Sequence, residues 1–182
     1  MVIGITGYKG SGKSVIASYL VREYRFRSLN FKAGLIKELR ENFGPLLEEI
    51  RKQSDCASIP ALLREKPTLA RLLLQCYGTE VRRGDDPDYW VNKWQKSLAR
   101  MSTNNIVADD VRFLNEEAAV KLQGGIIIRI VRDDIKPKDK HTSETEQKSI
   151  EPDFTIVAGK GEHEKVYKAV DEIIRTLKEN VD

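Results

Sequence analysis

Residues Gly7-Tyr8-Lys9-Gly10-Ser11-Gly12-Lys13-Ser14 spell G-x-x-x-x-G-K-[ST], and no other stretch constrains this chain as tightly. The pattern carries meaning only between a buried strand and a helix. Val2-Ile3-Gly4-Ile5-Thr6 before it reads as that strand, and residues 15–21 after it read as that helix. The glycines let successive backbone N–H groups turn inward onto phosphate oxygens. The helix adds the positive end of its dipole. In such a loop Lys13 reaches the β- and γ-phosphates and the Ser14 hydroxyl ligates Mg²⁺. The expectation is a nucleoside triphosphate site built from Gly7, Tyr8, Lys9, Gly10, Ser11, Gly12, Lys13, Ser14 and Val15.

The chain has 182 residues, 40% of them hydrophobic and 32% charged, which suits one domain with a real core. A net charge of +3 is too small to argue for a nucleic-acid partner, yet it is compatible with anionic substrates. No apolar run approaches the roughly 20 residues of a membrane span. The N-terminus enters the first strand at once, so no signal peptide is expected and the reading is a cytoplasmic protein without a membrane partner. Cys56 and Cys76 are isolated thiols without metal spacing and read as reduced, buried cysteines.

Further strand-like runs lie at residues 26–31, 105–110, 125–132 and 154–159, with helical patterns between them. Residues 115–123 read as a short helix closed by Gly124-Gly125. Residues 163–179 read as an amphipathic helix with Val166, Val170, Ile173, Ile174 and Leu177 on one face. Five strands alternating with helices predict an α/β fold with a parallel sheet flanked by helices. Two segments break the alternation. The stretch between the second and third strands reads as helices at 35–43, 46–52, 61–63, 69–77 and 89–101, broken at Pro45, Pro60, Pro67 and Gly84-Asp85-Asp86-Pro87. It is far too long for a simple crossover. Residues 133–151 are polar and read either as a surface loop or, the reading favoured by their place after the fourth strand, as a lid over a phosphate site.

This layout resembles the nucleoside monophosphate kinases and, more closely, the deoxynucleoside monophosphate kinases of bacteriophages and related genomes. Five pieces carry the resemblance across most of the chain. They are the glycine loop with Lys9 inside it; Lys32-Ala33-Gly34-Leu35-Ile36-Lys37; G-T-x-x-x-R from Gly78 followed by D-P-x-x-W from Asp86; D-x-R-F-x-N-E from Asp110 with Ile128-Arg129-Ile130-Val131-Arg132 after it; and His141-Thr142-Ser143-Glu144. The chain departs from the family pattern at Leu35, where proline is frequent, and near Ala158-Gly159, where an Asn is frequent. The resemblance implies a single P-loop kinase domain. Its core would be 1–34, 102–132 and 152–182, its acceptor-binding helical insertion 35–101, and its lid 133–151. It implies ATP as phosphoryl donor, Mg²⁺ as cofactor, deoxynucleoside monophosphates as acceptors, a plausible homodimer, and the host cytoplasm if the gene is viral.

Phosphoryl transfer needs charge neutralisation and in-line placement more than covalent chemistry. Asp109 and Asp110 end an apolar strand, where ligands of open parallel sheets bind. One of them holds Mg²⁺ through water or positions the acceptor, while a helix cap is the plainer role. The D-x-R motif favours Asp110. Arg112 shares a face with Asp110 if the chain stays extended, and its fork suits a phosphate. Glu116 is a substrate contact or simply Arg112's partner. In the family layout Arg82 or Arg83 meets the acceptor's α-phosphate, and the motif count lands on Arg83. Lys9 and Lys37 are further phosphate candidates. Trp90 reads as core packing or as a wall of the base pocket; as a wall, its removal would reorder the accepted bases. Arg132 borders the lid and suits charge on the transferred group. Arg129, His141 and Glu144 complete the lid set.

Two alternatives stay open: a kinase for another small acceptor such as phosphomevalonate or dephospho-coenzyme A, and a nucleotide-switched binding module. A GTPase-like module would carry N-K-x-D, whereas Asn92-Lys93 is followed by Trp94 and Gln95.

Overall fold

The computed structural model describes residues 1–135 and 146–179. The described chain divides into two compact units, residues 1–30 with 98–182 and residues 31–97.

The first unit is built on five parallel strands: β1 (Val2–Thr6), β2 (Arg27–Ser28), β3 (Ile106–Ala108), β4 (Ile126–Val131) and β5 (Phe154–Val157), in the order β2-β3-β1-β4-β5. Around them lie α1 (Lys13–Tyr24), the later helix Leu114–Leu122 and the last helix His163–Glu179. Every residue of β1 is buried, as a central parallel strand covered on both faces requires. Side chains alternate between the faces. Ile3 and Ile5 join Ile128 and Ile130 in one core with Ile16 and Leu20 of α1 and Val166, Val170, Ile173 and Ile174 of the last helix. The 3.6-residue period read along 163–179 is therefore the buried face of that helix, with Leu177 packed at its margin. Gly4 faces the other way, where a Cβ would meet Ile127, Val111 and Val120 within 3.3 Å.

The second unit is helical: α2 (Lys32–Asn42), α3 (Gly44–Gln53), α4 (Ile59–Glu65), α5 (Thr68–Gln75), α6 (Arg82–Asp85) and α7 (Tyr89–Leu98, its last residue in the first unit). In chain order the helix Leu114–Leu122 is then α8 and His163–Glu179 is α9. Pro45 and Pro60 occupy first-turn positions of α3 and α4, where a missing N–H costs nothing. The Ser58 hydroxyl caps α4 by accepting from Ala61 N at 3.2 Å. Leu35, Leu39, Leu47, Ile50, Leu62 and Trp90 fill the core of this unit. Between α5 and α6, Cys76–Val81 form a π-helical segment. Sequence periodicity suggests one helix at 69–77 and gives no sign of this widened turn, because one extra residue per turn leaves no repeat to read. Gly78 sits inside it. A Cβ there would stand 2.8 Å from a Leu35 methyl. Among the described residues no helix is long and apolar enough to cross a membrane.

Candidate active site

The first unit gathers its chemistry at the carboxyl ends of β1, β3 and β4. Gly4 pairs with Ala108 and Thr6 with Arg129. Asp109 and Asp110 form a turn just after β3, beyond which Val111 N donates to Ile5 O at 3.3 Å, and Arg132 directly follows β4.

The loop is shaped by its glycines. Gly7 has φ +142°, and a Cβ on it would lie 2.5 Å from the Ile130 carbonyl oxygen, so only glycine fits. Ser11 N donates to Tyr8 O at 3.1 Å and Val15 N to Gly12 O at 2.9 Å, which closes the loop onto α1. The Lys13 ammonium lies across the loop and donates to Gly7 O at 2.5 Å and Tyr8 O at 2.9 Å. The Thr6 and Ser11 hydroxyl oxygens are buried and have no hydrogen-bond partner among the described residues. Buried hydroxyls of this kind are normally satisfied by a ligand or water. Lys9 and Ser14 are exposed.

Asp110 is 8% exposed, directly beyond β3. Asp109 takes a side-chain hydrogen bond at its backbone, from its N–H to Asn30 Oδ1 at 3.0 Å. Glu116 is buried, and its Oε2 accepts from the backbone N–H groups of Arg112, at 2.8 Å, and Phe113, at 3.3 Å. That carboxylate therefore caps the start of α8 and fixes the backbone that carries Arg112.

Arg132 spans from β4 to the loop. Its Nη1 donates to Gly10 O at 3.1 Å and its Nε to Asp134 Oδ1 at 2.9 Å. Asp134's carboxyl is held below its ordinary value by this bond, and the Arg132 guanidinium is pushed up by the same partner. Asp134 is a partner that sequence reading passed over, since Asp133-Asp134 is indistinguishable from any acidic turn.

Arg129, expected to serve the lid, donates from Nη2 to Gln147 O at 3.2 Å and Ile150 O at 2.6 Å. Gln147 and Ile150 are 4% and 2% exposed. Glu146 Oε1 accepts from Leu114 N at 3.0 Å, and Glu151 N donates to Glu117 Oε1 at 3.1 Å. So the far end of the polar segment is pinned to the first unit. His141 and Glu144 lie outside the described residues. Hydrogen exchange should accordingly show Ser149 and Glu151 protected with or without nucleotide, and any ligand-dependent protection confined to the earlier part of 133–151. Uniformly fast exchange through Glu151 in the absence of nucleotide would refute this anchoring.

In the second unit Trp90 is 3% exposed, and its indole N–H donates to Gly78 O at 2.8 Å. This environment matches the packing role. Arg83 donates to Pro87 O at 3.0 Å. Lys37 is an exposed residue 3.9 Å from Glu41. Arg82 is drawn into a cluster with Glu38, Tyr77, Tyr89 and Lys93. Only the four-residue spacing of Tyr89 and Lys93 hints at that cluster in sequence. Among the described residues no group of three or more His, Cys, Asp or Glu is arranged to hold a metal ion by itself.

The family model for deoxynucleotide monophosphate kinase matches residues 49–170. The chain belongs to the deoxynucleotide monophosphate kinase family. The match starts beyond the glycine loop, so loop and family are independent observations that agree. A protein of Acanthamoeba polyphaga mimivirus, provisionally named a deoxynucleotide monophosphate kinase, is 32% identical over 177 residues, covering 88% of this chain and 89% of that one. Among solved structures, shikimate kinase from Aquifex aeolicus superposes with a TM-score of 0.48 at 19% identity, covering 100% of this chain and 98% of that one. Membership makes this kinase a phosphotransferase that uses a nucleotide.

Proposed function

We propose that this kinase moves the terminal phosphoryl group of Mg²⁺-ATP to the phosphate of a deoxynucleoside monophosphate, giving a diphosphate and ADP. The observation that carries the reading is the glycine cradle with Lys13 folded across its carbonyls and Arg132 touching its outer rim, together with the family. Lys13 is already within reach of the ligand's position, and phosphate oxygens replace the two carbonyls as its acceptors. Backbone N–H groups of the loop and the start of α1 then orient the donor's phosphates. Arg132 takes up charge that grows on the transferred group.

Mg²⁺ fits the residues present. The Ser14 hydroxyl and the Asp109 carboxylate are hard oxygen donors, and the buried, unsatisfied Thr6 and Ser11 hydroxyls mark a polar interior that a hydrated cation and phosphate would satisfy. When bound, Mg²⁺ neutralises phosphate charge and holds it in line. Asp110 and Arg112 serve the acceptor side of the reaction, with Glu116 holding Arg112's backbone. In this reading residues 31–97 are the acceptor-binding insertion and 133–151 the lid.

A coupled ADP-release assay over the common NMPs and dNMPs, with and without Mg²⁺, tests the reading. Turnover on one or more dNMPs that needs the metal supports it. Activity restricted to a base-free phosphate overturns the choice of acceptor. Asp110→Asn and Arg112→Ala should each harm acceptor use by roughly tenfold or more while ATP affinity stays near normal. Calorimetric titration showing ATP affinity lost and acceptor affinity intact would place both residues on the wrong ligand.

A further inference from the structure

The turn that follows β4 folds an arginine onto the glycine loop. Residues 132–135 leave the strand, and Ile135 N donates back to Arg132 O at 3.1 Å, which closes the turn. Inside it Asp134 reaches back to Arg132. Arg132 Nε donates to Asp134 Oδ1 at 2.9 Å and Nη2 to Asp134 Oδ2 at 2.5 Å, a two-pronged pair. Nη1 donates to Gly10 O at 3.1 Å. The Ile135 side chain rests on the same glycine, where a Cβ would stand 3.5 Å from its δ-methyl. The Arg132 side chain is 17% exposed and that of Asp134 54%. Asp134's carboxyl is held below its ordinary value by the bond from Arg132, against the effect of burial, and Lys160, between β5 and α9, adds a weaker attraction.

An ion pair within one surface turn adds little to stability. Its effect is to take freedom from a long side chain. A guanidinium carries five N–H donors in one plane. Asp134 takes two of them along one edge and Gly10 takes one, so the plane is fixed at three points. Among the described residues that leaves two N–H groups for a further acceptor, beside a loop built to hold phosphate. A carboxylate next to an arginine can also act as a latch, keeping the cation away until an anion displaces it. The layout of this turn argues against a latch. A latch must part from its cation, whereas Asp134 is two residues from Arg132 in a turn closed by its own backbone bond. The paired guanidinium is also already at the loop's rim and not withdrawn from it.

We propose that Asp134 is a positioning residue for phosphoryl transfer, which sets the plane of Arg132 before any nucleotide arrives. The inference rests on the proposed function above, in which Arg132 takes up charge on the transferred group. A cation aimed in advance need not be ordered during the reaction. The carboxylate also brings a repulsion toward phosphate, which the charges of Arg132 and Lys160 offset. Its removal therefore has two opposed effects, and they are separable. Loss of aim requires Arg132 to be present; relief of repulsion does not.

A double-mutant cycle on Asp134→Asn and Arg132→Ala tests this, with Asp134→Glu as the conservative rescue. The readouts are steady-state kinetics with ATP and dNMP, thermal melting, and the NMR signal of the Arg132 Nε–H without ligand. Asp134 is half-exposed, so its variants should melt near wild type. Asp134→Asn should lower kcat about tenfold and change ATP KM less than about twofold. Asp134→Glu, which keeps the charge, should recover part of the loss. In the Arg132→Ala background Asp134→Asn should cost nothing or speed turnover slightly, since only the repulsion is left to lose. The ligand-free wild type should show a slowly exchanging Arg132 Nε–H, and Asp134→Asn should lose it. A kcat that rises in Asp134→Asn reveals a latch, and equal losses in both backgrounds reveal a merely structural turn. Either result, or an unchanged kcat in folded Asp134→Asn, overturns the inference and leaves the kinase reading intact. Wild type that transfers no phosphoryl group to any dNMP refutes the proposed function. The Nε–H signal then decides the aiming of Arg132 by itself: lost only in Asp134→Asn it supports the pairing, and absent from wild type it overturns that as well.

Discussion

Lys13→Ala should lower turnover by two to three orders of magnitude or more, the usual scale for deleting one donor aimed at transition-state charge. The protein should still fold. The bonds from Lys13 to Gly7 O and Tyr8 O are internal to the loop, and losing ordinary hydrogen bonds of this kind costs about 1 kcal/mol each. The loop's path is held instead by Gly7 packed on Ile130 and by the bonds from Ser11 N and Val15 N. Single-turnover kinetics beside a thermal melt separates the two quantities. Near-normal turnover in a folded Lys13→Ala protein would end the phosphoryl-transfer mechanism as drawn.

Trp90→Ala should be the most destabilising single change in the second unit, by about 3–5 kcal/mol for a buried aromatic truncated in a core. The indole loses its packing among Leu35, Leu39 and Leu62 and its hydrogen bond to Gly78 O, and its edge-on contact with the Tyr89 ring disappears. A typical domain has only about 5–15 kcal/mol in total, so residues 31–97 would open at modest denaturant. Any activity left at low temperature should keep the wild-type ranking of bases. Normal melting combined with a reordered base preference would instead show that the indole meets the ligand.

The middle of the parallel sheet was legible because β1 and β3 are buried on both faces and therefore apolar throughout, as in Ile106-Val107-Ala108, whereas the edge strand read at 26–31 pairs only at the exposed Arg27-Ser28. The glycine loop was legible because backbone geometry leaves few other sequences able to form it. α9 was legible from its single apolar stripe. The Glu38 cluster was not, since residues 38, 77, 82, 89 and 93 converge only after α2, the π-helical segment, α6 and α7 have packed. Nor was the use of Arg129, which reads as a site cation because arginine is rare in a buried strand. Its target is backbone carbonyl oxygen, and nothing in Gln147 or Ile150 as residue types announces that. Trp90 shows the limit in reverse: an aromatic after an Asp-Pro turn fits pocket and core equally until its exposure is known.

Arg129 and Arg132 sit three residues apart on or just past one strand and fix opposite ends of the polar segment, one against Gln147 and Ile150, the other against Gly10 and Asp134. Each arginine is thus a rivet with its own partner. Cutting the first would free the chain that leads into β5, and cutting the second would free the rim of the glycine loop. The two losses should therefore register at different backbone amides, although the two side chains leave the sheet only three residues apart.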